Sequence, residues 1–511
     1  MRAATLLTTI LVGAACGGGG DSAEAAPTAG VTEPPGPASA VVALQPCLRV
    51  PALTMALSVV GGARRDVTTF GAKPNDDGDD SDAIQKALDS LNPGETLYFP
   101  SGRYITSRSL TVRRPGITIT GDNATLHATN PDDMALMIQA DDTTVSSLTF
   151  TAITNNRKSA TRASRIAVVG DMPGSTPRRI RNAVVRDNKI INADGPGTPG
   201  ANSASGAGIV VQFADRFLIA GNTVVRSLAD GIHITGGSRN GRVLNNTVRE
   251  TGDDMIAVVS YADKGPAARN SAAKLAAAWD TNVENMLARN IVISGNRVSG
   301  QYSGRGITVV GGQSIAIVRN TIENVPVAAG ILLAREAVYQ TFGVENVTVE
   351  GNILRDVQTK APPYNVGNKF SGTRTGHGAI EVHAALFDDE AADAKLRSQL
   401  GVRNIVVRGN IVEHSAVAAF RAGVPFDQTL RDGGASRHSG NGLIENLSVQ
   451  DNRFDDVKEG IYLLGQQLKD DGLHCAGNQR DGGDFRSPSC KAAEPRLRAL
   501  PLNCSADGQL Q

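Results

Sequence analysis

The chain has 511 residues with 51 basic and 51 acidic side chains, a formal net charge of zero. That balance excludes a nucleic-acid binder working by phosphate neutralisation, and 41% hydrophobic with 20% charged residues excludes global disorder. Glycine is abundant at 56 residues while aromatics make up only 4%, so the core is built from small and β-branched residues rather than from rings.

Met1 to Ala15 carries Arg2 and then an apolar run through Leu6, Leu7, Ile10, Leu11 and Val12. This is a signal-peptide pattern, too short to span a bilayer as a helix. It ends in Ala14-Ala15-Cys16 ahead of Gly17 to Gly20. That junction resembles a bacterial lipoprotein signal, which implies lipidation of Cys16, although Gly13 stands where such signals usually carry leucine. The alternative is an ordinary secretory signal with a chance cysteine. Residues 16–62, rich in Gly, Ala and Pro, read as a flexible tether. The expected location is outside the cytoplasm, either lipid-anchored to the envelope or secreted, with the lipid as the sole membrane link. Cys47, Cys475, Cys490 and Cys504 remain for disulfides and allow three pairings. Cys475–Cys490 is the most local choice and leaves Cys47–Cys504 to tie the ends. No CxxC or Cys/His cluster points to zinc.

After the tether, Asp66 to Lys73 precedes an acidic stretch, Asn75 to Asp82. An amphipathic helix is predicted next, capped by Ser81 or Asp82, with Ala83, Ile84, Ala87, Leu88 and Leu91 on its inner face. Then comes Thr96-Leu97-Tyr98-Phe99-Pro100-Ser101-Gly102-Arg103-Tyr104.

From there a short phrase recurs: an apolar residue, two positions, Asn, one position, an apolar residue. Its eight copies centre on Asn188, Asn222, Asn246, Asn296, Asn320, Asn352, Asn410 and Asn452. About ten residues after most of these comes Gly followed by alternating apolar residues, as in Gly231-Ile232-His233-Ile234 and Gly306-Ile307-Thr308-Val309. Period-2 alternation of β-branched residues means short half-buried strands. A repeat of roughly two dozen residues with two or three such strands is one coil of a β-solenoid. The fold expected is all-β, a right-handed parallel β-helix over residues 63–466 with an N-terminal capping helix, followed by a cysteine-containing tail at 467–511. A leucine-rich repeat lacks its LxxLxL frame here, and a propeller needs longer, antiparallel units.

The segment 64–126, with its Phe70-Gly71-Ala72-Lys73, its helix and its Tyr98-Phe99-Pro100, resembles the N-terminal part of the pectate-lyase superfamily of β-helix proteins. The resemblance implies that the helix closes the open end of the solenoid and that the acidic residues are turn and cap residues rather than a calcium loop.

On a solenoid, a site appears as polar residues stacked on neighbouring coils. The column at the entrance of the Gly-apolar strand is Asp230, Asp253-Asp254, Arg305, Ala329 and His377. Within the strands, His233, Thr308, Glu381 and His383 face outward. Two adjacent aspartates entering a buried strand are costly unless they serve a purpose. The order Asp230-Gly231-Ile232 and then Gly252-Asp253-Asp254-Met255-Ile256-Ala257 resembles the polygalacturonase-like (family 28) glycoside hydrolases. That resemblance implies Asp230, Asp253 and Asp254 as the acid and base set. Carboxylates one coil apart repel, so one is kept as a proton donor, and the spacing suggests the roughly 6.5–9.5 Å of an inverting pair. The chain departs from that family in two places. Gly304-Arg305-Gly306 stands for its Gly-His-Gly, and only Arg335 stands for its Arg-x-Lys.

Arg305, His233, His377, Glu381 and Trp279 are the candidate substrate-binding residues, Arg305 for a uronate carboxylate and Trp279 for stacking on a sugar or for packing its own helix. Helix-prone insertions at 262–289 and 385–401, and longer turns at 192–207 and 355–376, are expected to wall a groove over these coils. Three functions remain open. The first is a polysaccharide hydrolase without a cofactor. The second is a polysaccharide lyase with Arg305 as base and Ca²⁺ on the aspartates. The third is a non-catalytic carbohydrate-binding or adhesion solenoid. A polysaccharide partner and a monomer are expected in each.

Overall fold

The computed structural model describes residues 62–492 apart from 173–175, 193–200, 263–270, 301–303, 361–373, 424–437, 440–441, 464–472 and 486–490. The signal peptide, Cys16, nearly all of the tether, Cys47, Cys490, Cys504 and much of the tail lie outside the described residues.

Each full coil lays one short strand on each of three faces. The first face is a 16-stranded sheet running from Arg64–Asp66 to Lys491–Ala492. The second and third faces are two rows that join into one 22-stranded sheet near the C-terminal end. There the long strands Ile411–Ala422 and Arg453–Leu463 run through both rows. The ladders between coils are parallel. Two-residue antiparallel pairs, such as Leu386–Phe387 with His438–Ser439, sit outside them. This is the parallel β-helix expected from the repeat.

Like residues stack on like. On the third face, Ile232, Ile256, Ile307, Ile331 and Ile380 are in register on five successive coils, all fully buried. Ile234, Val258, Val309, Leu333 and Val382 form the next inward row. One continuous core therefore runs from Val67 to Leu473.

The recurrent asparagines form a buried ladder along the axis. Each Oδ1 accepts both the main-chain N–H and the Nδ2–H of the asparagine one coil earlier, at 2.9–3.1 Å from Asn188 to Asn246. Each Nδ2 also donates to a carbonyl of the preceding coil, as Asn222 does to Val185 at 2.9 Å. A ninth rung, Asn478, continues the ladder from Asn452. The phrase missed it because Arg480 stands at its second apolar position. The residue before every rung has left-handed backbone, with φ between 51° and 67° at Asp187, Gly221, Asn245, Gly295, Arg319, Gly351, Gly409, Asp451 and Gly477. Glycine adopts that conformation without steric cost, and Asp and Asn tolerate it, which explains part of the glycine excess.

The capping helix α1 spans Ser81–Ser90 and buries Ile84, Ala87 and Leu88 against the first coils. Its N-cap is Asp80, one residue earlier than Ser81 and two earlier than Asp82. The Asp80 carboxylate accepts from the main-chain N–H of Lys73 and of Ile105 at 2.7 and 3.0 Å, pinning the helix to the chain before and after it. Asp79 accepts from Ser81 and Ser107 hydroxyls. Both acids are thus committed to local hydrogen bonds.

The insertions at 262–289 and 385–401 emerge from the same corner, between the third and first faces. They carry α2 (Ala272–Met286), α3 (Asp388–Ala392) and α4 (Ala394–Gln399). Leu275 and Trp279 of α2 pack with Phe342, Leu396 and Leu400 into a second small core. Together they form a single wall. The longer turns at 192–207 and 355–376 sit at the opposite corner, largely outside the described residues.

Candidate active site

Between the second and third faces, each coil turns before its Gly-apolar strand, and this turn carries the site. Ser227 closes one such turn by donating to the carbonyl of Asp230 at 2.8 Å, and Thr251 closes the next by donating to the carbonyl of Asp253 at 2.7 Å. Main-chain bonds from Gly231 to Asp254 and from Met255 to Arg305 then stack Asp230, Asp254 and Arg305 on three successive coils. Asp253 lies one residue ahead of that column. His377 also lies one residue ahead of it, because Ile331 pairs with Ile380 and Gly378 therefore faces Ala329.

The three aspartates converge, with one oxygen of each within 4.8 Å of the others. This is tighter than the spacing suggested for an inverting pair. The reason is the register: Asp230 stacks directly on Asp254 rather than diagonally, and Asp253 is its chain neighbour. Gly304 makes the room. A Cβ there would lie 2.5 Å from Asp253 Oδ1 and 2.5 Å from Asp254 Oδ1.

Their surroundings separate the three acids. Asp254 is the most enclosed, its side chain 6% exposed against 25% for Asp253. Burial, with Asp253 and Asp230 nearby, pushes its carboxyl up to about 7. Arg305 is the main opposing influence, its Nη1 3.5 Å from Asp254 Oδ2 and its main-chain N–H donating to Oδ1 at 2.7 Å, but it does not outweigh burial. Burial also acts on Asp253, but the Arg157 guanidinium bound to it, with Arg305 and His233, outweighs burial and holds it below the usual carboxylate range. His233 Nδ1 lies 2.9 Å from Asp230. Burial disfavours its charge, yet Asp230, Asp254 and Asp253 raise it above an ordinary histidine.

Four residues of the site were not singled out from the sequence. Arg157 arrives from a turn several coils earlier and ion-pairs with Asp253 across 96 positions. Glu336 holds the other end of Arg305. Tyr261 and Tyr339 lie at the wall corner, close enough for the acids to raise both hydroxyls after burial, and Tyr339 is 39% exposed. Burial, with Glu336 and Asp253, raises the Tyr339 hydroxyl to about 12, so it stays protonated. None of the four belongs to a repeating phrase, so periodicity does not mark them.

The remaining expected residues lie elsewhere. Trp279 is 5% exposed and meets Phe342 edge-on, with centroids 5.3 Å apart, so it packs α2 on the solenoid and presents no face to a sugar. Arg335 is buried in an ion pair with Glu390 at 2.7 Å. His377, Glu381 and His383 form a second buried cluster, farther along the axis. There Arg421 clamps Glu381 through two 2.7 Å bonds. Cys475 is disulfide-bonded, and its partner lies outside the described residues.

Residues 64–260 match the family model described as rhamnogalacturonase A/epimerase, pectate lyase-like, and residues 182–383 match that of the right-handed β-helix region. The chain is a right-handed parallel β-helix, similar over residues 64–260 to the pectate-lyase-like family. Three solved β-helix structures illustrate the likeness. The Agl-KA catalytic domain superposes with a TM-score of 0.55 at 15% identity, over 83% of this chain and 66% of that one. The catalytic domain of a GH87 α-1,3-glucanase in complex with nigerose gives 0.54 at 14% identity, over 83% and 70%. The A-module of an Azotobacter vinelandii mannuronan C-5 epimerase gives 0.47 at 16% identity, over 81% and 98%. At these identities the likeness is one of fold. No match exists among curated protein sequences. Within this fold, the aspartate turns lie at the entrance edge of the third face, and the helical wall rises from its exit edge.

Proposed function

We propose that this protein hydrolyses glycosidic bonds of a polysaccharide, uronate-containing or related, by carboxylate acid–base catalysis. One observation carries the reading: three carboxylates converge in one partly open site, with Asp254 enclosed and its neighbour Asp253 paired with Arg157. Asp254, protonated near neutral pH, gives its proton to the leaving glycosidic oxygen as the bond to the anomeric carbon breaks. Carboxyls this close hold no water between them, so the water enters as the leaving group departs, attacks that carbon and gives its proton to ionised Asp253. Asp230 and His233 set the field around both groups, and the Tyr339 ring offers a platform for a sugar face. Members of this fold that act on glycans, such as the GH87 α-1,3-glucanase, agree with the substrate class.

Calcium-assisted β-elimination is the second reading, motivated by the convergence of three carboxylates. The residues fit it poorly. Arg157 already occupies Asp253 and Arg305 leans on Asp254, so a calcium ion has two cations to displace. Arg305 also makes a poor base. Burial disfavours its charge, but Glu336, Asp254 and Asp253 outweigh burial and hold it protonated.

The reading extends to an exported monomer anchored through Cys16. Its test is a panel of plant, algal and bacterial polysaccharides. Release of reducing ends without the ultraviolet absorbance of an unsaturated uronate supports hydrolysis. An unsaturated product supports the lyase, and binding without turnover supports a carbohydrate-binding solenoid.

A further inference from the structure

The second cluster lies apart from the aspartates, farther along the stack. His377, Glu381 and His383 are 6%, 0% and 5% exposed. Glu381 and His383 alternate along the strand Ile380–Ala384, so both leave its outer side. His377 reaches them from the turn ahead of that strand, its ring stacked on His383 at 5.9 Å.

The hydrogen bonds fix the imidazoles. The Thr375 hydroxyl donates to the Val327 carbonyl at 3.1 Å. With its one hydrogen on Val327, it accepts from His377 Nδ1, the tautomer in which His377 Nε2 is a lone pair; Nε2 has no hydrogen-bond partner among the described residues. His383 Nδ1 faces Glu381 Oε1 at 3.3 Å. A histidine–carboxylate hydrogen bond normally closes to about 2.7–2.9 Å. The edge between two ligands on a tetrahedral ion with bonds of about 2.0–2.1 Å is roughly 3.4 Å. Glu381 is already oriented, by Arg421 and by the Gly378 N–H at 3.0 Å, in the manner of partners that organise a ligating carboxylate. One donor atom from each of the three side chains lies within 4.8 Å of the others.

We propose that His377, Glu381 and His383 bind a divalent first-row transition metal, zinc being the type, through His377 Nε2, His383 Nδ1 and a Glu381 oxygen. Two nitrogens and one carboxylate oxygen suit such an ion better than calcium or magnesium. The neighbouring Arg421 charge holds the affinity below that of a closed structural site. The ion ties the turn at Thr375–Gly378 to its strand.

The test uses the full chain without a histidine tag, stripped by a chelator and titrated with Co²⁺ and then Zn²⁺. One equivalent of Co²⁺ is expected to give visible d–d bands, bleached by Zn²⁺, with a rise in Tm. His377→Gln and His383→Gln are each expected to weaken binding at least about tenfold, and His233→Gln to leave it unchanged. Binding that survives both cluster variants, or is lost in His233→Gln, places the ion elsewhere and overturns the proposal, as does no binding at all. Should the cluster variants fail to fold, anomalous diffraction from zinc-soaked wild-type crystals decides with no substitution. A peak among the three side chains supports the site, and a peak elsewhere or none overturns it.

Discussion

Asp253 and Asp254 share a peptide bond but not an environment. Burial dominates at Asp254 and bound arginine at Asp253, so a sequence that reads as two equivalent acids becomes two unequal ones, the donor and the acceptor of the proposed reaction. A pH dependence follows, with its sign set by Asp254. Its carboxyl rises in the fold from 3.8 to about 7, so between those values the native state holds more protons than the unfolded chain. Stability is fully supported at the acid end of that window and falls as pH rises through it. Asp254→Asn is expected to flatten the fall in Tm between the two values while lowering kcat by roughly 10²- to 10⁴-fold. An unchanged kcat removes Asp254 as the acid. The exposed Tyr339 ring is the second residue-scale expectation. Tyr339→Ala should raise KM by roughly tenfold, about 1.4 kcal/mol, with Tyr339→Phe near wild type, whereas Trp279→Ala should lower stability and leave KM alone. The aspartates and Arg305 were legible because they sit at fixed offsets from the repeating strand. Arg157, Glu336, Tyr261 and Tyr339 were not, because they reach the site through turns that follow no period. Trp279 stayed between stacking on a sugar and packing its own helix for a related reason: that a helix is inserted is visible in sequence, but the face it presents to the solenoid depends on Phe342 and Leu396, remote in the chain.

At the scale of elements, the asparagine ladder is the main polar structure within an apolar stack. Removing one rung orphans several groups at once. Asn320 accepts two bonds from Asn296, and it donates to the Ile293 carbonyl at 3.0 Å and to Asn352 at 2.9 Å. Each buried group left unpaired costs about 1–3 kcal/mol. Asn320→Ala is therefore expected to lose about 3 kcal/mol or more, seen as a lower denaturation midpoint, and Asn320→Asp to lose a comparable amount because a carboxylate cannot donate to Ile293. A loss under about 1 kcal/mol contradicts the ladder. The strands themselves were readable from β-branched alternation, and the ladder from its spacing. The position of the helix cap was not, since Asp80 is selected over Ser81 by Lys73 and Ile105 of neighbouring segments.

For the whole molecule, the composition takes on physical meaning. Zero net charge conceals a local set of four acids, two arginines and a histidine around one turn. A quasi-one-dimensional stack has nearest-neighbour stability rather than a single centre, and the wall of α2 to α4 has its own small core. The one tryptophan belongs to that wall. Its fluorescence is therefore expected to change at a lower denaturant concentration than far-UV circular dichroism, which follows the coils. Coincident midpoints show instead that wall and solenoid unfold as one unit. The ladder also bears on how such a chain can change length. Every rung gives to one neighbour and receives from the other in the same way, so the pattern is unchanged by a shift of one coil. Excision or duplication of a coil distant from Asp230 and Arg305 re-forms identical contacts across the seam. The number of coils is thereby free to drift in evolution, while the few that carry the acids stay fixed relative to one another.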